Sequence, residues 1–154
     1  RLLSRLASRR PQLAPRIDAL TQLPANLTVQ NEMRQALRTA LRPAGGPRRA
    51  RGGHAVFVVE ALMIYLPPEA GEALLRACVD EAAAAGARRA TLCFADRLPN
   101  VKGCSVHDAS AMLKGAGLRN DEGAWLPKPG LARHMGMAEW RGIGEVEPAD
   151  KPEQ

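Results

Sequence analysis

The hydrophobic pattern of the chain alternates between short apolar runs and longer stretches with a 3.6-residue period. Two runs, residues 55–59 and 90–95, are rich in β-branched or aromatic side chains, which is typical of strands buried on both faces. Apolar residues spaced three and four apart predict amphipathic helices over residues 1–10, 28–41, 68–85 and 105–116. Weaker patterns permit further strands over residues 16–27, near Leu118 and over 135–140.

The order of these elements indicates the fold class. Helices alternate with strands, and such alternation is typical of parallel βαβ units with right-handed crossovers. We therefore predict an α/β fold with a mostly parallel sheet, in which the last two strands form an antiparallel edge. The 154 residues suffice for one domain, expected over residues 1–144. Residues 145–154 are polar, contain two prolines and are expected to form a flexible tail.

The net charge of +6 raises the question of a nucleic-acid partner. The most cationic stretch, residues 43–53, could hold a phosphate, but its glycine content favours a solvated insertion. No basic patch along the chain is interleaved with aromatic residues, as single-stranded nucleic-acid binders require. We attribute the charge to compositional bias and predict no nucleic-acid partner.

The three cysteines, Cys78, Cys93 and Cys104, have neither metal-ligand spacing nor an even count. They indicate a reducing compartment, and we expect a cytoplasmic location. The longest apolar run is about a dozen residues and is interrupted by Glu60, so it is too short to span a bilayer. The sequence therefore predicts no metal site and no membrane partner.

Glu60 is the first candidate for chemistry. It follows residues 55–59 directly, and the carboxyl ends of strands form the edge where open α/β sheets bind ligands. A carboxylate there can accept hydrogen bonds from a ligand's ammonium or hydroxyl group. It can equally cap a helix or pair with an arginine, and both interpretations remain open on residue type alone. No glycine turn of the kind that cradles phosphates or nucleotides occurs in the chain.

Four other residues are weaker candidates. Asp96 and Arg97 mark the carboxyl end of the second predicted strand. Tyr65 is expected to pack with its hydroxyl group at the ligand edge. His134 lies in a stretch rich in turn residues, where a general base is conceivable but a solvent-facing loop histidine is the favoured interpretation.

One segment resembles a known family. The sequence VFVVEALMIYLPPEAGEALL, within residues 55–75, is similar to a segment of the leucine carboxyl methyltransferase (Ppm-like) family of S-adenosylmethionine-dependent methyltransferases. In that family a strand ends in Glu-Gly, and an apolar loop, Tyr-Leu-Pro and a helix follow. Here Glu60, Tyr65, Leu66 and Pro67 match, while Ala61 replaces the glycine. A looser likeness extends over about residues 16–140.

The resemblance implies a Rossmann-like class I methyltransferase sheet with S-adenosylmethionine as cofactor. Asn26 and Leu27 stand where the family has the Asp-Leu pair that holds adenine, with an amide replacing the carboxylate. Glu60 matches the acid that helps to hold the methionine part. The family's cofactor-binding glycine turn precedes the matching segment, so we expect the domain to be incomplete at its N-terminus.

The expected reaction is methyl transfer to a carboxylate or hydroxyl oxygen of a small molecule or a protein. Tyr65, Asp96, Arg97 and His134 are the candidates for the acceptor side, and no catalytic residue is assigned beyond them. The alternative is a non-catalytic, methyltransferase-like remnant that acts as a structural or interaction module. The missing glycine turn, Ala61 and Asn26 favour that alternative.

Overall fold

The computed structural model describes residues 23–42, 53–121 and 133–142. In chain order the elements are helix α1 (Gln30–Ala40), strand β1 (Gly53–Glu60), a short 3-10 helix (Met63–Tyr65), helix α2 (Pro68–Ala84), strand β2 (Ala87–Asp96), helix α3 (Val106–Gly115) and strand β3 (His134–Arg141). The predictions for residues 1–22, 43–52 and 145–154 lie outside the described residues.

The three described strands form one mixed sheet in the order β1-β2-β3. β1 and β2 are parallel, with Glu60 opposite Ala95, and α2 connects them. β2 and β3 are antiparallel, with Asp96 opposite His134. The predicted α/β class is confirmed, and β3 forms an antiparallel edge, although it pairs with β2 and not with a strand near Leu118. Within the described residues, however, the sheet has one parallel and one antiparallel pair and is not mostly parallel.

The strand prediction near Leu118 is wrong, and of the strand predicted over residues 16–27 only residues 23–27 are described. Near Leu118 the backbone forms only an isolated antiparallel bridge between Arg119 and Glu139. Residues 23–27 form no strand, and Pro24 lacks the N–H group that a ladder would need. Of the three weaker strand patterns, only that of residues 135–140 corresponds to a strand, β3, among the described residues.

Local sequence signals set the ends of α2 and α3. Pro68 begins α2, and Gly86, with a φ of +86°, follows its end. At the start of α3, the Ser105 hydroxyl accepts a hydrogen bond from the Asp108 N–H group, and the Asp108 carboxylate accepts one from the Ser105 N–H group at 2.7 Å. This capping box lowers the pKa of Asp108. The largest effect comes from the hydrogen bond that the Ser105 N–H group donates to the Asp108 carboxylate.

The hydrophobic core lies between the helices and one face of the sheet. It joins every helix to the strands in a single cluster that includes Met33 of α1, Leu75 of α2, Leu92 of β2, Leu113 of α3 and Ala138 of β3. Each of these side chains is at most 1% exposed. The helices and this face therefore form a two-layer arrangement.

The opposite face of the sheet, which we call the open face, has no covering layer among the described residues. Burial along β1 alternates, and Val56 and Val58 on the open face are 58% and 72% exposed. Met137 of β3 is 53% exposed on the same face. The prediction that residues 55–59 are buried on both faces is therefore wrong. Valine favours a strand whether one face or both are covered, so the run could not distinguish the two cases.

An ionic cluster attaches α1 to α2. The Glu81 carboxylate, whose side chain is 4% exposed, accepts hydrogen bonds from Arg34 Nη1 at 2.9 Å and from Arg38 Nε at 2.8 Å. Arg34 also bonds Asp80 through Nη2 at 2.8 Å. The hydrogen bonds from Arg38, with a smaller effect from Arg34, hold the pKa of Glu81 below its ordinary value.

Candidate functional site

The parallel pairing of β1 and β2 brings two acids to the same edge of the sheet. Glu60 is the last residue of β1, and Asp96 is the last residue of β2. The loop of residues 61–66, which contains the 3-10 helix, leaves β1 at this edge. The carboxyl ends of β1 and β2, where the sequence predicts a ligand edge, therefore lie at the same edge of the sheet.

The two acids point to opposite faces of the sheet. Glu60 is exposed and lies on the open face, as its alternation with the buried Val59 requires. Asp96 is 0% exposed and lies on the face that the helices cover. Only Glu60 can meet a ligand from solvent without a change in the fold.

Asp96 holds the loop through its backbone. Its Oδ2 accepts hydrogen bonds from the N–H groups of Leu62 and Met63 at 2.5 and 2.8 Å. Its Oδ1 accepts from the N–H groups of Ile64 and Arg97 at 3.3 and 2.8 Å. Asp96 therefore acts as a loop anchor in this structure, a role that its position in the sequence did not reveal.

A second side chain secures the end of the same loop. Asn100 Nδ2 donates hydrogen bonds to the carbonyl groups of Ile64 and Leu66 at 3.2 and 2.9 Å. Asn100 was not predicted as a site residue. The only sequence signal was its place four residues after the strand end, in the turn that faces the loop. Together Asp96 and Asn100 fix the path by which the chain leaves Glu60.

Ala61 turns the chain immediately after Glu60. Its φ of +48° lies in the left-handed region, which an L-residue adopts at a cost of about 1–2 kcal/mol. Its N–H group donates to the Ala95 carbonyl at 3.2 Å and so extends the β1–β2 ladder by one bond. Glycine adopts this conformation without the steric cost, so alanine at this position carries a strain that glycine would not.

A shallow groove of about 340 Å³ lies beside Glu60 on the open face. Its lining is mainly apolar and includes Val58, Cys93, Met135 and Met137. The Glu60 carboxylate is the one ionisable acid among the lining residues. A ligand with a cationic group next to an apolar part would suit this arrangement.

Tyr65 and Arg97 lie near this edge but differ from the expectation. Tyr65 is 77% exposed, so the prediction that its ring packs is wrong. Arg97 follows β2, is half-buried and donates its N–H group to Asp96. Both residues lie at the carboxyl edge, and neither lines the groove beside Glu60.

His134 is not a solvent-facing loop residue, and that prediction is wrong. It is the first residue of β3 and is 0% exposed on the face that the helices cover. Its Nδ1 accepts a hydrogen bond from the Leu98 N–H group at 3.2 Å. Burial lowers the pKa of His134, against smaller raising effects from the Ser105 backbone and the Asp108 carboxylate. The imidazole therefore serves as a buried acceptor beside the Asp96 turn.

The predicted adenine residues lie before α1, away from the groove. Asn26 Oδ1 accepts hydrogen bonds from the Thr28 N–H group at 3.1 Å and from the Thr28 hydroxyl at 2.8 Å. The Asn26 N–H group donates to Glu32 at 2.9 Å. Leu27 packs half-buried against the core. The structure does not place Asn26 or Leu27 in the groove that Glu60 lines.

Comparisons of the chain with protein-family models, with curated proteins and with solved structures found no match. In residues 23–42, 53–121 and 133–142, none of the helices combines the length and apolar character needed to cross a membrane. No three His, Cys, Asp or Glu side chains converge as metal ligands in that part of the chain. The fold therefore defines the class, an α/β protein with a mixed sheet.

Proposed function

We propose that the chain carries one wall of a cofactor site in an S-adenosylmethionine-dependent O-methyltransferase with a Rossmann-like class I sheet. The observation that supports the proposal is the position of Glu60. Its carboxylate is exposed at the carboxyl end of a parallel strand and borders a mainly apolar groove. Open α/β sheets bind their ligands at this edge.

The residues at the groove suit the methionine part of this cofactor. Its ammonium group needs an anionic acceptor, and Glu60 makes no ion pair with another described residue. The methylene groups need apolar surface, which Val58 and Met135 offer. The turn at Ala61, held by Asp96 and Asn100, fixes the backbone beside the carboxylate.

The adenine side has weaker support. Both lone pairs of Asn26 Oδ1 already receive hydrogen bonds from Thr28. An adenine amino group would have to replace one of these donors. Glu60 therefore carries the proposal, and the roles of Asn26 and Leu27 rest on the resemblance alone.

Methyl transfer to an oxygen is an in-line displacement, in which the positioning of two reactants supplies much of the acceleration. The expected acceptor is a carboxylate or hydroxyl group of a small molecule or a protein. Tyr65 and Arg97 lie on the accessible side of the edge and remain candidates to orient it. Asp96 and His134 are buried, so we assign Asp96 to positioning the loop and His134 to holding the turn after β2 at Leu98.

Isothermal titration calorimetry with S-adenosylmethionine tests the proposal on the protein produced from its complete gene. We expect Glu60→Gln to weaken binding by about ten- to a hundredfold, because a charged hydrogen-bond partner contributes about 1.5–3 kcal/mol. Glu69→Gln, at an exposed acid on α2, is the matched control and should bind as the parent does. Equal affinities for the parent and Glu60→Gln would remove Glu60 from the site.

A second candidate function is a non-catalytic interaction module. The exposed valines of β1 and the exposed Met137 favour it, because an uncovered apolar sheet face usually marks a binding surface. In this case the same titration gives no heat of binding with the parent protein. The two candidates therefore predict opposite results in one experiment.

A further inference from the structure

The side chain of His134 holds the turn that follows β2. Its Nδ1 atom accepts a hydrogen bond from the Leu98 N–H group at 3.2 Å, and both residues are 0% exposed. A main-chain N–H group can only donate, so Nδ1 carries no proton in this structure. The imidazole is therefore neutral. Its single proton is on Nε2, which is buried and makes no hydrogen bond within the described residues.

The two anchors of the loop of residues 61–66 flank Leu98. Asp96, two residues before Leu98, accepts hydrogen bonds from N–H groups at the start of this loop. Asn100, two residues after Leu98, donates to carbonyl groups at the end of the loop. A displacement of Leu98 therefore disturbs the attachment of the loop at both of its ends.

A proton on Nδ1 of His134 is incompatible with this arrangement. An imidazolium ring donates at both nitrogens, so the Nδ1–H and Leu98 N–H groups would meet as two donors. The new charge would also lie where solvent does not reach it, and an unpaired buried charge is strongly unfavourable. Protonation of His134 thus requires the turn to move.

Two carboxylates lie near the ring, on β2 and on α3. Asp96 is directly opposite His134 in the β2–β3 register, but its two oxygens already accept hydrogen bonds from four N–H groups. Asp108 of α3 and the Ser105 carbonyl also favour the charged ring, but the effect of burial on the pKa of His134 is larger. An imidazolium that paired with Asp96 would take this acid from the N–H groups of the loop.

We propose that His134 is a pH-sensitive switch for the loop beside Glu60. Uptake of a proton at Nδ1 breaks the hydrogen bond to Leu98, and the turn of residues 97–100 moves so that the ring meets water or Asp96. In the first case Asn100 leaves the carbonyl groups of the loop, and in the second Asp96 leaves its N–H groups. The switch acts on the loop itself and does not depend on whether the proposed cofactor binds beside it.

The direction of the switch follows from proton binding. In the closed loop His134 is neutral, and burial holds its pKa below the ordinary value of about 6.5. In the open loop the ring is hydrated and takes up a proton near that ordinary value. Between these two values, the equilibrium constant for opening rises about tenfold for each unit by which the pH falls. The loop is therefore closed at neutral pH and opens progressively in acid.

Amide hydrogen exchange of the 154-residue chain, measured by NMR from pH 7.5 to pH 4.5, tests the inference. After correction for the intrinsic pH dependence of exchange, the Met63 and Leu66 amides should lose protection about tenfold per pH unit below about pH 6.5. They should remain less protected than the Leu75 amide in α2, which reports unfolding of the whole chain. The loss should continue until the His134 imidazole, followed in the same samples, itself titrates.

Two variants identify the group that titrates. His134→Gln keeps an oxygen that can accept from the Leu98 N–H group but has no imidazole to protonate, so its loop should show no such pH dependence. His107→Gln removes an exposed histidine from the first turn of α3 and is the matched control, which should behave as the parent does. Circular dichroism verifies that both variants fold. If His134→Gln does not fold, the comparison of loop exchange with the His134 titration in the parent decides.

Loop protection that does not change between about pH 6.5 and pH 4.5 overturns the inference. So does a loop that is as protected as Leu75 at every pH, because it then opens only when the whole chain unfolds. A loss of protection that persists in His134→Gln, that His107→Gln abolishes, or that stops while the His134 imidazole is still neutral belongs to another group and overturns the inference as well.

Discussion

The substitution Asp96→Asn should destabilise the protein strongly. It replaces one carboxylate oxygen by an NH₂ group and leaves the shape of the side chain almost unchanged. The carboxylate accepts four backbone hydrogen bonds, two on each oxygen, from Leu62, Met63, Ile64 and Arg97. An asparagine side chain keeps one acceptor oxygen and turns an NH₂ group toward the other two donors. Two N–H groups then lose their acceptor.

The distances indicate which bonds survive. The pair on Oδ2, at 2.5 and 2.8 Å, is shorter than the pair on Oδ1, at 2.8 and 3.3 Å, so the amide oxygen should take the Oδ2 side. A hydrogen bond to a charged group contributes about 1.5–3 kcal/mol and a neutral one about 0.5–1.5 kcal/mol. At the lower ends of these ranges, the loss of two bonds costs about 3 kcal/mol and the weakening of two others about 1 kcal/mol each, about 5 kcal/mol together. Since Ile64 is 38% exposed and water can partly replace its lost partner, we expect about 3–4 kcal/mol.

Urea unfolding followed by circular dichroism measures this change as a fall in the free energy of unfolding. Asp121→Asn is the matched control, because the Asp121 side chain is 74% exposed and its substitution should stay within about 0.5 kcal/mol of the parent. Amide hydrogen exchange should also become faster at residues 62–64 in the Asp96 variant. A loss below about 1 kcal/mol, with unchanged exchange in the loop, would refute the anchoring role.

Three further predictions concern single residues. Ala61→Gly should raise the free energy of unfolding by about 0.5–1 kcal/mol, because glycine adopts the left-handed conformation without steric cost. The larger conformational entropy of glycine in the unfolded chain offsets part of this gain. A lower urea midpoint for the variant would contradict the prediction. The pKa of Glu81 is lower in the folded state, so its stabilising contribution is present above its unfolded pKa of about 4.3 and disappears as the pH falls through the folded value. Glu81→Gln should therefore be less stable than the parent at pH 7 and lose less stability between pH 6 and pH 3, whereas an identical pH profile would refute it. Burial lowers the pKa of His134, so the unfolded chain binds a proton near pH 6.5 that the folded chain does not, and stability should fall below that pH. An NMR titration should give His134 a midpoint below about 6.5, and a midpoint at or above that value would contradict the buried environment.

Elements that follow from a local repeat of apolar residues could be predicted from the sequence. The spacing of apolar residues predicts α1, α2 and α3. The positions of Glu60 and Asp96 at strand ends predict a shared edge, because parallel strands end on the same side. These predictions need only the period of an element and the direction of its ends.

Features that depend on a second element could not be predicted in the same way. The anchoring role of Asp96 requires the N–H groups of a loop that is 32 to 34 residues earlier in the chain. His134 is buried because β3 pairs with β2, although the turn residues around it indicated a loop. The sequence does not predict the open face of β1, because valine occurs in strands whether or not a layer covers them. Val56 and Val58 are exposed in the structure.

The hydrogen bonds to Asp96 have a consequence for how the sheet reaches its correct alignment. Hydrophobic alternation rejects a slip of β1 along β2 by one residue but tolerates a slip by two, which returns each side chain to its own face. With Glu60 opposite Ala95, the loop N–H groups meet a carboxylate. A slip by two residues would offer them Phe94 or Leu98 instead, neither of which has a side chain that accepts hydrogen bonds. The carboxylate thus distinguishes the native alignment from the two-residue slips in either direction that apolar packing alone would allow.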